Sequence, residues 1–151
     1  MIKLNVIAMF NFYMPTRIVF GNGRFNETGS LVKELGNKAL IVTGRSAMRR
    51  LGYTDRLVSM LQESDIQSIV FDKITPNPLV PQIDEGAKIA RENNVDFTIG
   101  LGGGSAIDAA KSIAAVAAEN HKTIQYLRGE VQPSEKTLPI VAIPTTAGTG
   151  S

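Results

Sequence analysis

The chain has 151 residues, of which 43% are hydrophobic and 20% charged, which are ordinary values for one globular domain with a buried core. Sixteen Lys and Arg against fourteen Asp and Glu leave a formal net charge of +2, and the basic residues are scattered, which argues against nucleic acid as a partner. Because it contains no Cys and one His, the chain can form neither a disulfide nor a multi-histidine metal site.

The stretch from Met1 to Met14 is apolar but lacks the features of a signal peptide. Asn5 and Asn11 interrupt the apolar run, and no small-residue cleavage site follows before Pro15. No window approaches the run of about 18 apolar residues that a membrane span needs. We therefore expect a cytoplasmic protein without a membrane partner.

Short apolar runs alternate with segments of helical periodicity along the chain. The runs predict strands at 17–20, 39–43, 68–71, 96–101 and 139–143. The apolar residues with helical spacing are Leu31, Val32 and Leu35, then Leu57, Val58 and Leu61, then Ile83, Ala87 and Ala90, then Ile107, Ala110, Ile113 and Ala114. This alternation predicts an α/β fold with a doubly wound, mainly parallel sheet and helices on both faces, as in Rossmann-like domains. Ligands of such sheets bind beyond the carboxyl ends of the strands, so the loops at those ends are the candidate site.

The first candidate loop, Gly44-Arg45-Ser46, contains no acidic residue. Many nucleotide-binding folds have a carboxylate here that binds the ribose hydroxyls and repels a 2′-phosphate. A cation and a hydroxyl instead favour NADP, with NAD possible. The alternative is a helix start in which Ser46 is the cap and Arg45 is solvated. Asp72 is a second candidate for the carboxylate, although its neighbour Lys73 favours a solvated pair between the two.

The loop at 75–81 contains three prolines. It is either a rigid connector or a part of the binding surface that includes Asn77.

The segment Gly102-Gly103-Gly104-Ser105 joins a predicted strand to a predicted helix. Bare backbone N–H groups and about half a positive charge at the helix N-terminus favour a phosphate or pyrophosphate. The plain alternative is a tight turn in which Ser105 and Asp108 form a capping box, and the two interpretations are compatible. The G-x-G-x-x-G fingerprint is not matched, because Gly100 and Gly102 are followed by Ser105 rather than by a third glycine.

The segment 145–151, Thr-Thr-Ala-Gly-Thr-Gly-Ser, is rich in hydroxyls and glycine N–H groups that can bind phosphate, ribose or base edges. Local Ser/Thr turns are the alternative. Two such loops at the same end of one sheet favour binding. His121 is predicted to be a surface residue near a helix C-terminus, so we expect neither a catalytic residue nor a metal site in this chain.

Residues 102–111, Gly-Gly-Gly-Ser-Ala-Ile-Asp-Ala-Ala-Lys, and residues 144–151, Pro-Thr-Thr-Ala-Gly-Thr-Gly-Ser, closely resemble the iron-containing alcohol dehydrogenases. Residues 15–21 and 75–78 also resemble the opening strand and a loop of that family, in the expected order. The resemblance covers residues 10–151 and leaves 1–9 as an N-terminal extension. Glycerol dehydrogenases and dehydroquinate synthases are related alternatives, but the Thr-rich segment favours the alcohol dehydrogenases.

The resemblance implies a dinucleotide-binding domain at 10–151. In the complete enzymes an all-helical domain follows, in which one Asp and three His hold Fe or Zn, and that domain is absent from this sequence. Family members with Asp at the position of Gly44 use NAD, whereas Gly there goes with NADP. The predicted cofactor-binding residues are Gly44, Arg45, Ser46, Asn77, Gly102, Gly103, Gly104, Ser105, Asp108, Thr145, Thr146 and Thr149.

The function implied for the complete enzyme is metal-assisted hydride transfer between NAD(P) and a primary alcohol or aldehyde. Without the metal-binding domain, we expect no turnover from this chain alone. The resemblance also suggests a homodimer through the 11–21 region. The alternative function is a free-standing nucleotide- or phosphate-binding module without catalysis.

Overall fold

The structure is a computed structural model that describes residues 11–148. In this part of the chain a single sheet has the strand order β2-β1-β3-β4, and all three neighbouring pairs are parallel. The strands are β1 (Lys38–Gly44), β2 (Gln67–Ile74), β3 (Phe97–Gly102) and β4 (Ile140–Pro144). The α-helices are α1 (Thr28–Val32), α2 (Ala47–Arg50), α3 (Tyr53–Glu63), α4 (Val80–Glu92), α5 (Gly104–Ala118) and α6 (Thr123–Leu127).

The two central strands are buried on both faces, which explains their continuous apolar sequences. Successive side chains of β1 enter different cores, because side chains alternate along a strand. Leu40 and Val42 pack with residues of α4 and α5, whereas Ala39 and Ile41 pack with residues of α1 and α3. Helices therefore cover both faces of a parallel sheet, and the predicted doubly wound, Rossmann-like fold is confirmed.

The strand predicted at 17–20 is wrong for this structure, because residues 11–20 form neither helix nor strand. Ile18 and Phe20 are 68% and 94% exposed, and a strand needs a hydrogen-bonded neighbour that residues 11–148 do not provide here. The other four predicted strands are confirmed. None of the helices in the described part of the chain is both long and apolar enough to cross a membrane.

The helix α6, which the sequence pattern did not predict, begins at a tertiary cap. The backbone N–H and the hydroxyl of Thr123 both donate to Asp84 Oδ1, at 3.0 and 2.6 Å. A carboxylate on α4 thus satisfies the first turn of a helix that lies far along the chain, an interaction without a local sequence signal.

The contact of α5 with β3 depends on the absence of a side chain at Gly100. A Cβ atom at Gly100 would lie 2.9 Å from Ile107 Cα and 3.1 Å from Ala110 Cβ. The helix therefore packs directly on the strand backbone. This close approach fixes the start of α5 just beyond the carboxyl end of β3.

We predict that Gly100→Ala lowers the free energy of unfolding by about 2 kcal/mol, because the added methyl group overpacks the contact between β3 and α5. Gly44→Ala is the matched control on the neighbouring strand, since its Cβ would lie 3.7 Å from the carbonyl oxygen of Ile74, an ordinary contact. Urea denaturation followed by circular dichroism measures both changes. Equal stability of the two variants would contradict the packing argument.

Candidate functional site

A cleft of about 540 Å³ lies at the carboxyl edge of the sheet, where loops from all four strands meet. Its volume is in the range typical of small-molecule sites. The lining residues are Gly44, Arg45, Ser46, Ala47, Met48, Ile74, Thr75, Pro76, Gly102, Gly103, Gly104, Ser105, Ala106 and Thr146. Eight of the twelve predicted site residues are among them, on three different loops.

The start of α5 forms one wall of the cleft. Gly102, with φ of +145°, turns the chain out of β3, and the helix begins at Gly104 with Gly103 as its N-cap. No side chain caps this end, so the predicted capping box of Ser105 and Asp108 is wrong. Ser105 lies inside the first turn instead of before it, because the helix begins two residues earlier than the capping pattern requires. The positive end of a 15-residue helix therefore lies at the cleft, and its N-cap residue makes no side-chain cap hydrogen bond.

The loop after β4 meets the glycine turn directly. The N–H of Thr145 donates to the carbonyl of Gly102 at 2.9 Å. A Cβ at Gly103 would lie 3.3 Å from Thr146 Oγ1, so the Thr146 side chain lies against the bare backbone of the turn. The two motifs that the sequence singled out form one surface, with a hydroxyl beside the helix terminus.

The Pro-rich loop closes a further side of the cleft. The backbone N–H of Asn77 donates to Ser105 Oγ at 3.3 Å, which connects this loop to α5. Gln82 holds the loop from its other end, because it accepts from the N–H of Leu79 and donates to the carbonyl of Lys73, both at 3.0 Å. The loop is thus a fixed wall, and Asn77 takes part through its backbone.

The loop after β1 brings positive charge to the cleft. Ser46 occupies the N-cap position of α2, as the alternative interpretation expected, but its hydroxyl makes no cap hydrogen bond. Arg45 is exposed and forms no ion pair with any residue of the 11–148 part. A side chain would fit at position 44, because a Cβ at Gly44 would lie 3.7 Å from the carbonyl oxygen of Ile74.

The predicted pair of Asp72 and Lys73 is wrong. Arg49 Nη2 lies 3.4 Å from Asp72 Oδ2, and Lys73 Nζ lies 2.5 Å from Glu85 Oε1. Neighbouring residues of a strand point to opposite faces, so Asp72 reaches α2 and Lys73 reaches α4. No acidic residue is among the residues that line the cleft.

Four predicted site residues do not line the cleft. The backbone N–H groups of Asn77 and Thr145 instead donate hydrogen bonds to the lining residues Ser105 and Gly102. Asp108 lies one turn into α5, with its carboxylate 3.7 Å from Lys111 Nζ. Thr149 lies outside the described residues. The lining residues that the sequence reasoning missed are Ala47, Met48, Ile74, Thr75, Pro76 and Ala106. Most of them are apolar neighbours of the motifs, and only their adjacency to those motifs could have indicated them.

The described residues do not fit a metal ion. Between residues 11 and 148, no group of three His, Cys, Asp or Glu side chains comes together. His121 lies beyond the opposite end of α5, with Nε2 3.4 Å from Glu119 Oε2. Nearby, burial raises the pKa of the Tyr126 phenol, and the charge of Glu119 raises it further. This titratable cluster is remote from the cleft.

Fold and cleft together define a Rossmann-like α/β domain with a binding cleft at the carboxyl ends of its strands. The family model of the iron-containing alcohol dehydrogenases matches residues 15–151. The chain belongs to this family.

Comparison with individual relatives supports the assignment. The chain is 38% identical over 144 residues to the NADH-dependent butanol dehydrogenase A of Clostridium acetobutylicum, a match that covers 94% of this chain and 36% of that protein. A crystal structure of an archaeal halo-thermophilic alcohol dehydrogenase from a Red Sea brine pool, bound to NZQ, superposes with a TM-score of 0.89 at 35% identity. That match covers 95% of this chain and 38% of the other.

A third relative, the sulfoacetaldehyde reductase of Bifidobacterium kashiwanohense in complex with NAD+, superposes with a TM-score of 0.83 at 32% identity and covers 94% of this chain. The chain spans 37% of that structure, and it corresponds to the N-terminal, nucleotide-binding portion of its relatives.

We predict that Ser105→Ala speeds hydrogen exchange of the Asn77 amide about fivefold, because the variant removes a hydrogen bond of about 1 kcal/mol. Ser112→Ala is the matched control, since the Ser112 hydroxyl bonds only to the carbonyl of Asp108 within α5. Amide exchange measured by NMR distinguishes the two variants. An unchanged rate at Asn77 in Ser105→Ala would contradict the proposed connection between the Pro-rich loop and α5.

Proposed function

We propose that this chain is the dinucleotide-binding part of an oxidoreductase that interconverts primary alcohols and aldehydes by hydride transfer. The observation that carries the proposal is the uncapped start of α5, which meets Thr146 and the Pro-rich loop in one cleft. Backbone N–H groups at a helix terminus whose N-cap is a glycine suit a pyrophosphate. The family membership supplies the expected reaction.

The cleft fits a dinucleotide on structural grounds. The pyrophosphate would lie against the backbone of Gly103, Gly104 and Ser105, where the missing side chains leave a concavity beside Thr146. We propose Asn77, Asp108, Thr145 and Thr149 as further contacts on the basis of the resemblance. The bound nicotinamide would supply the hydride chemistry, and the residues of this chain would bind and orient it.

We propose NADP as the preferred cofactor. The relatives named above include NADH-dependent and NAD+-bound proteins, so the family as a whole does not indicate NADP. The proposal rests on the loop after β1, where Gly44 provides no carboxylate and Arg45 is available to a 2′-phosphate. NAD is the alternative cofactor.

The metal would belong to the complete enzyme. Residues 11–148 offer no ligand set, so we assign no step of the reaction to a metal held by them. We propose that Fe or Zn is bound outside this chain, as the resemblance implies. Such a metal would supply polarisation of the substrate oxygen.

We further propose a homodimer through the 11–21 region. Its support is the exposure of large apolar side chains there, with Phe12, Tyr13 and Phe20 at 77%, 88% and 94%. A cytoplasmic location and the absence of membrane and nucleic-acid partners stay predictions of the sequence.

A second candidate function is a nucleotide-binding module without catalysis. Its support is the composition of the cleft, since Arg45 is the one ionisable side chain among the lining residues. Such a side chain binds anions but is not suited to acid–base catalysis at neutral pH.

We predict that the chain binds NADPH more tightly than NADH and that Gly44→Asp changes the ratio of their Kd values by about tenfold in favour of NADH, because a carboxylate repels the 2′-phosphate. Gly44→Asn, of equal size and without charge, is the control and should retain the NADPH preference. Titration of the fluorescence of the reduced nucleotides gives a Kd for each nucleotide with each of the three proteins. Equal affinity of the unchanged chain for NADPH and NADH would remove the basis for NADP.

We predict that the chain with added Fe(II) or Zn(II), NADP and a panel of primary alcohols forms no NADPH above the blank, because the described residues gather no metal ligands. Absorbance at the NADPH band measures the reaction. NADPH binding by the same preparation shows that the cleft is intact. Metal-dependent formation of NADPH would contradict this expectation and would favour a metal site within the chain.

A further inference from the structure

The ion pair between Arg49 and Asp72 lies beside the cleft wall that contains Gly44. Arg49 is on α2, directly after the lining residue Met48, and Asp72 is on β2, two residues before the lining residue Ile74. Their side chains are 56% and 33% exposed, so both are accessible to solvent at this edge of the sheet. The pair therefore contributes to the electrostatic potential at the cleft.

Asp72 faces α2 because side chains alternate along β2 and the preceding residue, Phe71, packs in the core with α4 and α5. A register irregularity follows Asp72. Val42 pairs with Phe71 and Gly44 pairs with Ile74, so two residues of β2 lie opposite one residue of β1. This bulge turns the lining residue Ile74 into the same core as Phe71, three residues before it. Here Asp72 meets Arg49 of α2, whereas the next residue, Lys73, meets Glu85 of α4 on the other face.

We propose that the Arg49–Asp72 pair determines the cofactor preference of the cleft, an inference that rests on the proposed function. Arg49 offsets the charge of the Asp72 carboxylate beside the loop that contains Gly44. Because Arg49 neutralises Asp72, the charge of Arg45 gives this edge of the cleft a net positive charge. That charge favours the 2′-phosphate of NADP over the 2′-hydroxyl of NAD. Neither Arg49 nor Asp72 is among the residues that line the cleft, so both act on the cofactor through the field at this edge.

A purely structural role of the pair predicts a different result. If the pair only held α2 in place, its loss would disturb the part of the cleft that both nucleotides are proposed to occupy and would weaken the binding of NADH and NADPH alike. An electrostatic role changes the ratio of the two Kd values, and the sign of the change depends on which charge is removed. Salt screens this effect, whereas a displaced helix is insensitive to salt.

The test compares Arg49→Gln and Asp72→Asn by fluorescence titration of the 151-residue chain with NADPH and with NADH. We expect Arg49→Gln to lower the preference for NADPH about threefold and Asp72→Asn to raise it about twofold at low ionic strength. Both changes should shrink in about 0.5 M salt. Arg49→Lys keeps the charge and should keep the ratio.

The controls are Lys88→Gln and Glu92→Gln, which remove the same charges from an exposed ion pair on α4 whose residues are not adjacent to any lining residue. They should leave the ratio unchanged. An unchanged ratio in both Arg49→Gln and Asp72→Asn, or an equal loss of both nucleotides, would overturn the inference while leaving the proposed function intact. Failure of the unchanged chain to bind either nucleotide would overturn the proposed function and this inference together.

Discussion

The direct packing of α5 on the backbone of β3 is the constraint on which the site depends. At Gly100 the helix approaches so closely that even a methyl group would lie 2.9 Å from Ile107 Cα. A helix held this close has no freedom to slide, so its first turn is fixed against the end of the strand. The glycine turn between them is then short and open, and the positive end of the helix faces the cleft.

The parallel sheet brings other loops to the same edge as this contact, where they form the cleft. Because all strands run in one direction, the loops after β1, β3 and β4 reach the same edge, where they meet the Pro-rich loop that follows β2. Each loop contributes a different property: backbone N–H groups from the glycine turn, a hydroxyl from Thr146, and a cation from Arg45. None of these groups binds a dinucleotide by itself, and the topology brings them together.

The fold and most of the cleft were predictable from the sequence because their signals are local. Continuous apolar runs predicted β1 and β3, and glycine or threonine clusters after strands marked the loops. The failures concern interactions between distant residues. The segment 17–20 has a strand-like sequence but no neighbouring strand in the described structure, and α6 depends on Asp84, 39 residues before Thr123. The pairing of Asp72 with Arg49 likewise requires the sheet register, which no local pattern contains.

The proposed preference for NADP requires one cleft to discriminate between two nearly identical ligands. NADP and NAD differ by one phosphate, so a binding surface shared by both discriminates only where that phosphate lies. At such a point the net local charge matters more than any single residue. A glycine in place of an acidic residue removes one source of repulsion toward the 2′-phosphate. Any other carboxylate nearby still repels that phosphate unless a cation neutralises its charge. Asp72 is such a carboxylate, and its partner Arg49 belongs to the helix that begins at the same loop. The proposed cofactor preference is therefore expected to vary with α2 and β2 as well as with position 44.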